Sequence, residues 1–256
     1  MRIIVEKDYQ AMSKKAALMV ASQITLKPDS NLGLATGGTP LAMYNNLIEL
    51  YREDEIDFSE VQSFNLDEYC GLQADHPNSY HYYMNNNFFK EINIKKENIH
   101  IPDGNAEDFD KECRDYETFI KKARGIDLQI LGIGSNGHIG FNEPAENLNV
   151  ATEVVNLTEE TIEANSRYFD SKDEVPKKAI SMGMATILKA DRIVLLVSGK
   201  SKAEAVKSTI SGKISTHIPA SLLQTHPEIT ILLDQEAAAL INKENLSADC
   251  HFEVYK

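Results

Sequence analysis

The chain reads as an α/β protein: a mostly parallel, Rossmann-like sheet with helices on both faces. Two observations predict this. Apolar runs of strand length alternate with longer amphipathic stretches along the whole sequence, the pattern of repeated β–α units. Several of those runs end in glycine-rich or polar turns, where open parallel sheets bind ligands. No internal repeat, low-complexity stretch or linker interrupts the pattern, so a single domain spanning 1–256 is expected.

Ile3 to Val5 is the first strand. Asp8 is placed to cap a helix through Ile24 that carries Met12, Ala16, Met19 and Val20 on one side. Pro28-Asp29 breaks it. Asn31 to Ala35 is a strand, Pro40 to Arg52 a helix, Val61 to Asn65 a strand, Asn78 to Lys90 a helical stretch and Ala106 to Arg124 a longer helix. The apolar run from Ile126 to Ile133 is a buried strand. Regularity then weakens, and a strand (Thr152 to Asn156), a helix (Thr158 to Ser166) and a polar stretch (Asp170 to Pro176) form either a mobile cover around residues 146–177 or a plain surface excursion. Alternation returns with strands at Lys178 to Met182, Arg192 to Ser198 and Ile229 to Leu233, and helices at Lys200 to Ile210 and Asp234 to Asn242.

The formal charge of −13 excludes the basic surface that nucleic acid requires, so no nucleic-acid partner is expected. It also means that an anionic ligand needs a local pocket acting against the global field. The longest apolar runs are strand-sized, and Met1 to Glu6 reads as a strand rather than a leader, so neither membrane association nor export is expected and the cytoplasm is the default location. Cys70, Cys113 and Cys250 are too widely spaced for a disulfide framework or a metal knuckle.

Candidate site residues fall at the strand ends. Thr36-Gly37-Gly38-Thr39-Pro40 joins a strand to a helix, with Thr39 placed as N-cap and Pro40 at the first helical position. It is either an anion site made of backbone amides and a helix dipole or an ordinary tight turn. Lys202 opens a later helix, where the dipole disfavours a cation; a solvated lysine and a ligand-facing one are the alternatives. Asp67 and Glu68 close a strand and point to opposite sides, so only one of them can readily face a pocket; the pair is either a strand-end general base with an outward neighbour or an ordinary surface turn. Gly132-Ile-Gly-Ser-Asn-Gly137 matches the dinucleotide glycine pattern only formally, since His138 stands where the helix belongs. His138 and Glu143 form a candidate base and orienting carboxylate, against the common structural role of a loop histidine. Arg167, within the expected cover, is either a bidentate phosphate ligand or a surface charge. His76, His81 and His138 lack metal-ligand spacing, and no metal site is expected.

Four segments in this order, Leu34 to Pro40, Phe64 to Tyr69, Gly132 to Pro144 and Ala164 to Phe169, resemble the glucosamine-6-phosphate deaminase family over about Ile3 to Asp234. The resemblance implies hydrolytic deamination with aldose–ketose isomerisation, glucosamine 6-phosphate and water giving fructose 6-phosphate and ammonia in amino-sugar catabolism, without metal or organic cofactor. It implies Asp67 as the base moving a proton between C2 and C1, and His138, Glu143 and Asn136 as the ring-opening group. It places Thr36, Gly37, Gly38, Thr39, Arg167 and Lys202 around the phosphate.

Two departures stand out. Many relatives carry aspartate at the position of Asn136, and a neutral amide orients an imidazole without offsetting its charge, which leaves Glu143 as the counter-charge. Family members activated by N-acetylglucosamine 6-phosphate use a serine, an arginine and a lysine where this chain has Glu146, Glu153 and Val155. No effector site is therefore expected, and the quaternary expectation is a monomer or small homo-oligomer. The rival readings are a 6-phosphogluconolactonase, a sugar-phosphate-sensing regulator, for which no DNA-binding segment precedes the first strand, and a binding domain that has lost the chemistry.

Overall fold

The computed structural model describes residues 1–242, 246 and 250–255. Strand β1 (Arg2–Glu6) leads into α1 (Tyr9–Leu26), whose first turn is held by the Asp8 carboxylate accepting from Ala11 N at 2.8 Å. Then follow β2 (Asn31–Leu34), α2 (Leu41–Arg52), β3 (Gln62–Asn65), β4 (Asp67–Tyr69), α3 (Tyr80–Asn87), β5 (Ile99–His100), α4 (Phe109–Lys122) and β6 (Leu128–Leu131). The second half contains β7 (Glu153–Asn156), α5 (Glu159–Ser166), β8 (Lys178–Ser181), α6 (Met184–Leu188), β9 (Arg192–Val197), α7 (Ala203–Thr209), β10 (Ile229–Asp234) and β11 (His251–Val254).

Eight strands form one sheet in the order β11-β1-β10-β9-β6-β2-β3-β5, with each of its pairings parallel. Alternate residues of each strand bury on opposite faces. Leu32, Leu34, Ile130, Val194 and Leu196 pack against Met12, Ala16, Val20, Met43 and Leu47 of α1 and α2. Val5, Leu131, Ile193, Leu195 and Ile231 pack against Tyr116, Ile120, Ile187 and Val206 of α4, α6 and α7. Helices thus cover both faces, as expected for a parallel sheet. From β2 the chain winds outward through β3 to β5, and from β6 it winds the other way through β9. The β2–β6 junction is therefore a topological switch point, and the crevice at its carboxyl end is where such sheets bind ligands.

Three sequence expectations are corrected. Lys178 to Met182 does not join the parallel sheet. It pairs antiparallel with β4 and β7 in a second sheet of order β4-β8-β7, with Asp67 and Glu153 both in register with Ser181. The chain leaves the main sheet at Leu66, whose carbonyl accepts from Met182 N at 2.8 Å, so β8 takes its partners from β4. The stretch expected as a helix from Asp234 to Asn242 is not one: Asp234 closes β10, and Gln235 to Leu240 is a run of turns. Ala238 N donates to Asp234 O, one helical bond, but Ala237 N turns to Asp234 Oδ1 and Ala239 N and Ile241 N bond three residues back, so the ladder does not continue. Finally, α2 begins at Leu41 with Pro40 at its cap position and no side-chain cap, so Thr39 is not its N-cap. The Tyr9 hydroxyl serves there instead, accepting from Ala42 N at 3.1 Å. The single-domain expectation also takes in residues 243–245, 247–249 and 256, which lie outside the described residues.

Candidate active site

A cleft of about 240 Å³ opens at the β2–β6 switch point. Its floor is the loop after β2. Gly37 adopts φ +94°, a conformation open to glycine, and the loop's peptide planes are fixed from outside: Tyr83 Oη donates to Gly37 O at 2.6 Å and Tyr9 Oη to Gly38 O at 2.9 Å. Thr36, Gly37, Gly38 and Thr39 all line the cleft, and Arg167 and Lys202 reach it from two other elements. Burial and the nearby Arg167 guanidinium push the Lys202 ammonium below the ordinary lysine range, against an opposing pull from Glu160. Two cations and a glycine turn line one small space, a set of charges and donors that suits an anion.

Asp67 also lines the cleft. It is 6% exposed, and its carboxylate accepts no hydrogen bond among the described residues. Burial, then the charge of Glu68, pushes its pKa up to about 8, which suits a carboxylate that takes up and returns a proton near neutral pH. Gly140 makes room for it, since a Cβ there would lie 3.3 Å from Asp67 Oδ2. Glu68 points the other way and serves α3. It accepts from Tyr80 N and His81 N at 2.9 Å each, and Ser79 Oγ accepts from Tyr82 N, so the three leading amides of that helix are satisfied.

The loop after β6 delivers His138. Gly137, at φ +87°, closes a turn in which Gly137 N donates to Gly134 O and Gly134 N to His138 O, and no helix follows. A Cβ on Gly134 would sit 2.3 Å from the imidazole Cε1, so the glycine is what lets the ring lie across the loop. Asn142 anchors the next turn, its Nδ2 donating to Ile139 O and Met182 O. Glu143 Oε2 lies 3.2 Å from His138 Nδ1, a charge contact off the line of a hydrogen bond, and accepts from Asn136 Nδ2 at 2.9 Å. Asn136 Oδ1 in turn accepts from His138 N. Burial pushes the Glu143 carboxyl up, but His138, Thr161 and Asn136 more than offset it and hold it below the usual range, so it is ionised at neutral pH. Nε2 of His138 has no protein partner among the described residues, and the residue lines the same cleft as Asp67.

Residues 6–231 match the family of glucosamine-6-phosphate isomerases and 6-phosphogluconolactonases. The chain belongs to this family. A glucosamine-6-phosphate deaminase of Halothermothrix orenii is 66% identical over 94% of this chain and 100% of its own length. Another, of Thermoanaerobacter pseudethanolicus, is 61% identical over 96% and 97%. A solved structure described as a monomeric glucosamine-6-phosphate deaminase superposes with a TM-score of 0.91 at 50% identity, covering 94% of this chain and 100% of that one. A 6-phosphogluconolactonase of Trypanosoma cruzi shares the fold at 19% identity, TM-score 0.72, covering 94% of this chain and 97% of that one.

In this member of the family, eight of the ten sequence-expected residues line one cleft: Thr36, Gly37, Gly38, Thr39, Asp67, His138, Arg167 and Lys202. Asn136 and Glu143 do not line it and stand behind His138 instead. Sequence reasoning missed Tyr80, Thr161 and Asn165, which also line the cleft. Thr158 and Thr161 were legible as the start of a helix, but nothing in their spacing pointed inward. Among the described residues no three His, Cys, Asp or Glu side chains converge as metal ligands would, and no helix is long and apolar enough to cross a membrane. Burial pushes the Cys70 thiol up to about 11, which makes it a poor nucleophile despite its place beside β4.

Proposed function

We propose that the chain is a glucosamine-6-phosphate deaminase, converting glucosamine 6-phosphate and water to fructose 6-phosphate and ammonia. The carrying observation is that Asp67 and His138 line the same cleft as the Thr36–Thr39 loop, Arg167 and Lys202. The phosphate is held by that loop and the two cations, which leaves the anomeric end of the sugar between the imidazole and the carboxylate.

His138 accepts the proton of the anomeric hydroxyl and returns it to the ring oxygen, opening the pyranose. Glu143 stabilises the transient imidazolium, and Asn136 holds Glu143 and the loop amide in place. The open aldehyde acidifies the C2 hydrogen. Asp67 removes that proton and delivers it to C1 while a proton from the amino group passes to the C1 oxygen, which leaves the C2 nitrogen in an imine that water hydrolyses to ketone and ammonia. Each positioned acid or base contributes about 10²–10⁴ in rate, and the remote phosphate supplies orientation. No step calls for a metal or an organic cofactor.

We assign the whole chain to one sugar-phosphate deaminase/isomerase domain, since both sheets contribute to a single cleft. It acts in the cytoplasm as a monomer or small oligomer, in keeping with the monomeric relative, and needs no nucleic-acid partner. Residues 146–177 act as a cover that admits and encloses substrate. The test is ammonia release from glucosamine 6-phosphate by the purified chain, compared with Asp67→Asn and with hydrolysis of 6-phosphogluconolactone. Lactone hydrolysis without ammonia release would assign the chain to the other branch of the family.

A further inference from the structure

Helix α5 touches both ends of the reaction. At its C-terminal end Arg167, the capping residue, lines the phosphate side of the cleft together with Asn165. In its first turn Thr161, 5% exposed, donates its hydroxyl to Glu143 Oε1, the oxygen that neither His138 nor Asn136 uses. Thr161 is itself fixed, its amide donating to the Thr158 side chain that caps the helix. The two ends are about 9 Å apart along one short helix, so they move together. The helix also rests on the catalytic strand: Ile162 packs in a cluster with Tyr69 and Phe141, and Phe169 meets the Tyr69 ring edge-on at 6.0 Å.

We infer that Thr161 is a positioning residue through which α5 couples the grip of Arg167 on the substrate phosphate to the orientation of Glu143, and through Glu143 to His138. This rests on the deaminase reading given above. Asn136 and Thr161 bracket the two oxygens of one carboxylate, and they come from different parts of the chain. Asn136 belongs to the loop after β6, whereas Thr161 belongs to the proposed cover over the cleft. The helix thus joins a phosphate ligand, Arg167, to the carboxylate of the ring-opening group. An enzyme built this way delays ring opening until the sugar phosphate is enclosed.

The test compares Thr161→Val, which keeps the shape and removes the donor, with Thr161→Ser, which restores it, using ammonia release from glucosamine 6-phosphate. Removing a hydrogen bond to a charged group is expected to lower kcat roughly ten- to a hundredfold, with KM within about twofold of wild type, as for an interaction stronger in the transition state. The serine variant recovers most of kcat. Arg167→Gln raises KM and also lowers kcat, and in the Thr161→Val background its effect on kcat disappears while its effect on KM persists. Thr161→Ala provides the same comparison should valine disturb the first turn, and a thermal melt identifies any variant that fails to fold. Wild-type kcat in Thr161→Val, failure of serine to rescue, or kcat losses that multiply in the double variant would each overturn the inference. Absence of ammonia release by the wild-type chain would instead overturn the deaminase reading beneath it.

Discussion

Asp67 and Glu68 are consecutive residues of β4 with opposite surroundings: Asp67 faces the cleft with no hydrogen bond among the described residues, while Glu68 accepts from the amides of Tyr69, Tyr80 and His81 and meets His81 Nδ1 at 2.9 Å. Burial is costly to Asp67 because, unlike Glu68, it has no donors among the described residues to replace water. Burial and the Glu68 charge together raise Asp67 to about 8.

Asp67→Asn should abolish deamination and stabilise the fold. The unfolded carboxyl titrates near pH 4, the folded one near 8. Below about pH 4 both states are protonated and the wild type loses nothing. As pH rises through that interval the unfolded state ionises while the native state resists, so wild-type stability falls until about pH 8 and then levels. The melting temperature of Asp67→Asn should therefore exceed that of wild type by a margin that widens from pH 4 to 8. Calorimetry showing a constant or shrinking margin would remove the argument.

How far this was legible in the sequence depends on the range of the interactions involved. Helix caps are local: Asp8 stands where the sequence placed it, and Thr158, read as the first residue of its helix, caps it instead. The strand-end positions of Thr36, Asp67 and His138 follow from alternation and parallel topology, and those residues share a cleft. The alternation of side chains in an extended strand said that one of Asp67 and Glu68 would turn away, but not that Glu68 would cap α3, because that bond spans a dozen residues. The second sheet was hidden because β4 is three residues long and too short to show a period. Strand β11, with His251 and Glu253 among its four residues, lacks the apolar pattern of a buried strand and takes its place through pairing with β1. Tyr80 was read as part of a helix, and its position in the cleft depends on where Glu68 seats that helix.

Gly134→Ala tests whether the imidazole's place matters. The added Cβ would fall 2.3 Å from the His138 ring carbon, too close for any contact, so the ring must swing away from Glu143 and the cleft. Gly134 has no positive φ, and alanine is tolerated by its backbone. The expected outcome is a kcat lower by about 10²-fold or more, the contribution of one positioned acid–base group, with a melting temperature close to wild type. A variant of normal kcat would mean that His138 has no part in the chemistry.

Lys202→Met should chiefly weaken substrate binding. Losing one charged hydrogen-bond partner of a phosphate raises KM roughly ten- to a hundredfold, with a smaller effect on kcat because the phosphate is remote from C1 and C2. The wild type carries a pH signature of the same residue. Burial and Arg167 depress the Lys202 ammonium, so its charge is lost at lower pH than that of an ordinary lysine, and KM should begin to climb correspondingly early on the alkaline side. Steady-state KM across pH, measured for both proteins, distinguishes this: the alkaline rise should be present in wild type and absent from Lys202→Met. An identical rise in both would place its origin elsewhere.

Response to a second sugar phosphate is the last test. The positions that carry a serine, an arginine and a lysine in allosterically activated relatives hold Glu146, Glu153 and Val155 here. Glu146 and Glu153 are exposed and anionic, and Val155 packs against the cluster of Tyr69 and Phe141 instead of presenting a polar group. Two carboxylates facing a phosphate repel it, and a net charge of −13 adds to that repulsion. A ligand that gains nothing from either of two states cannot shift them. Initial rates should therefore follow a hyperbola in glucosamine 6-phosphate, with a Hill coefficient of about 1, and N-acetylglucosamine 6-phosphate should leave the curve unchanged or compete weakly at the cleft. A sigmoidal curve that the acetylated sugar phosphate converts to a hyperbola would show that effector recognition survives on other residues.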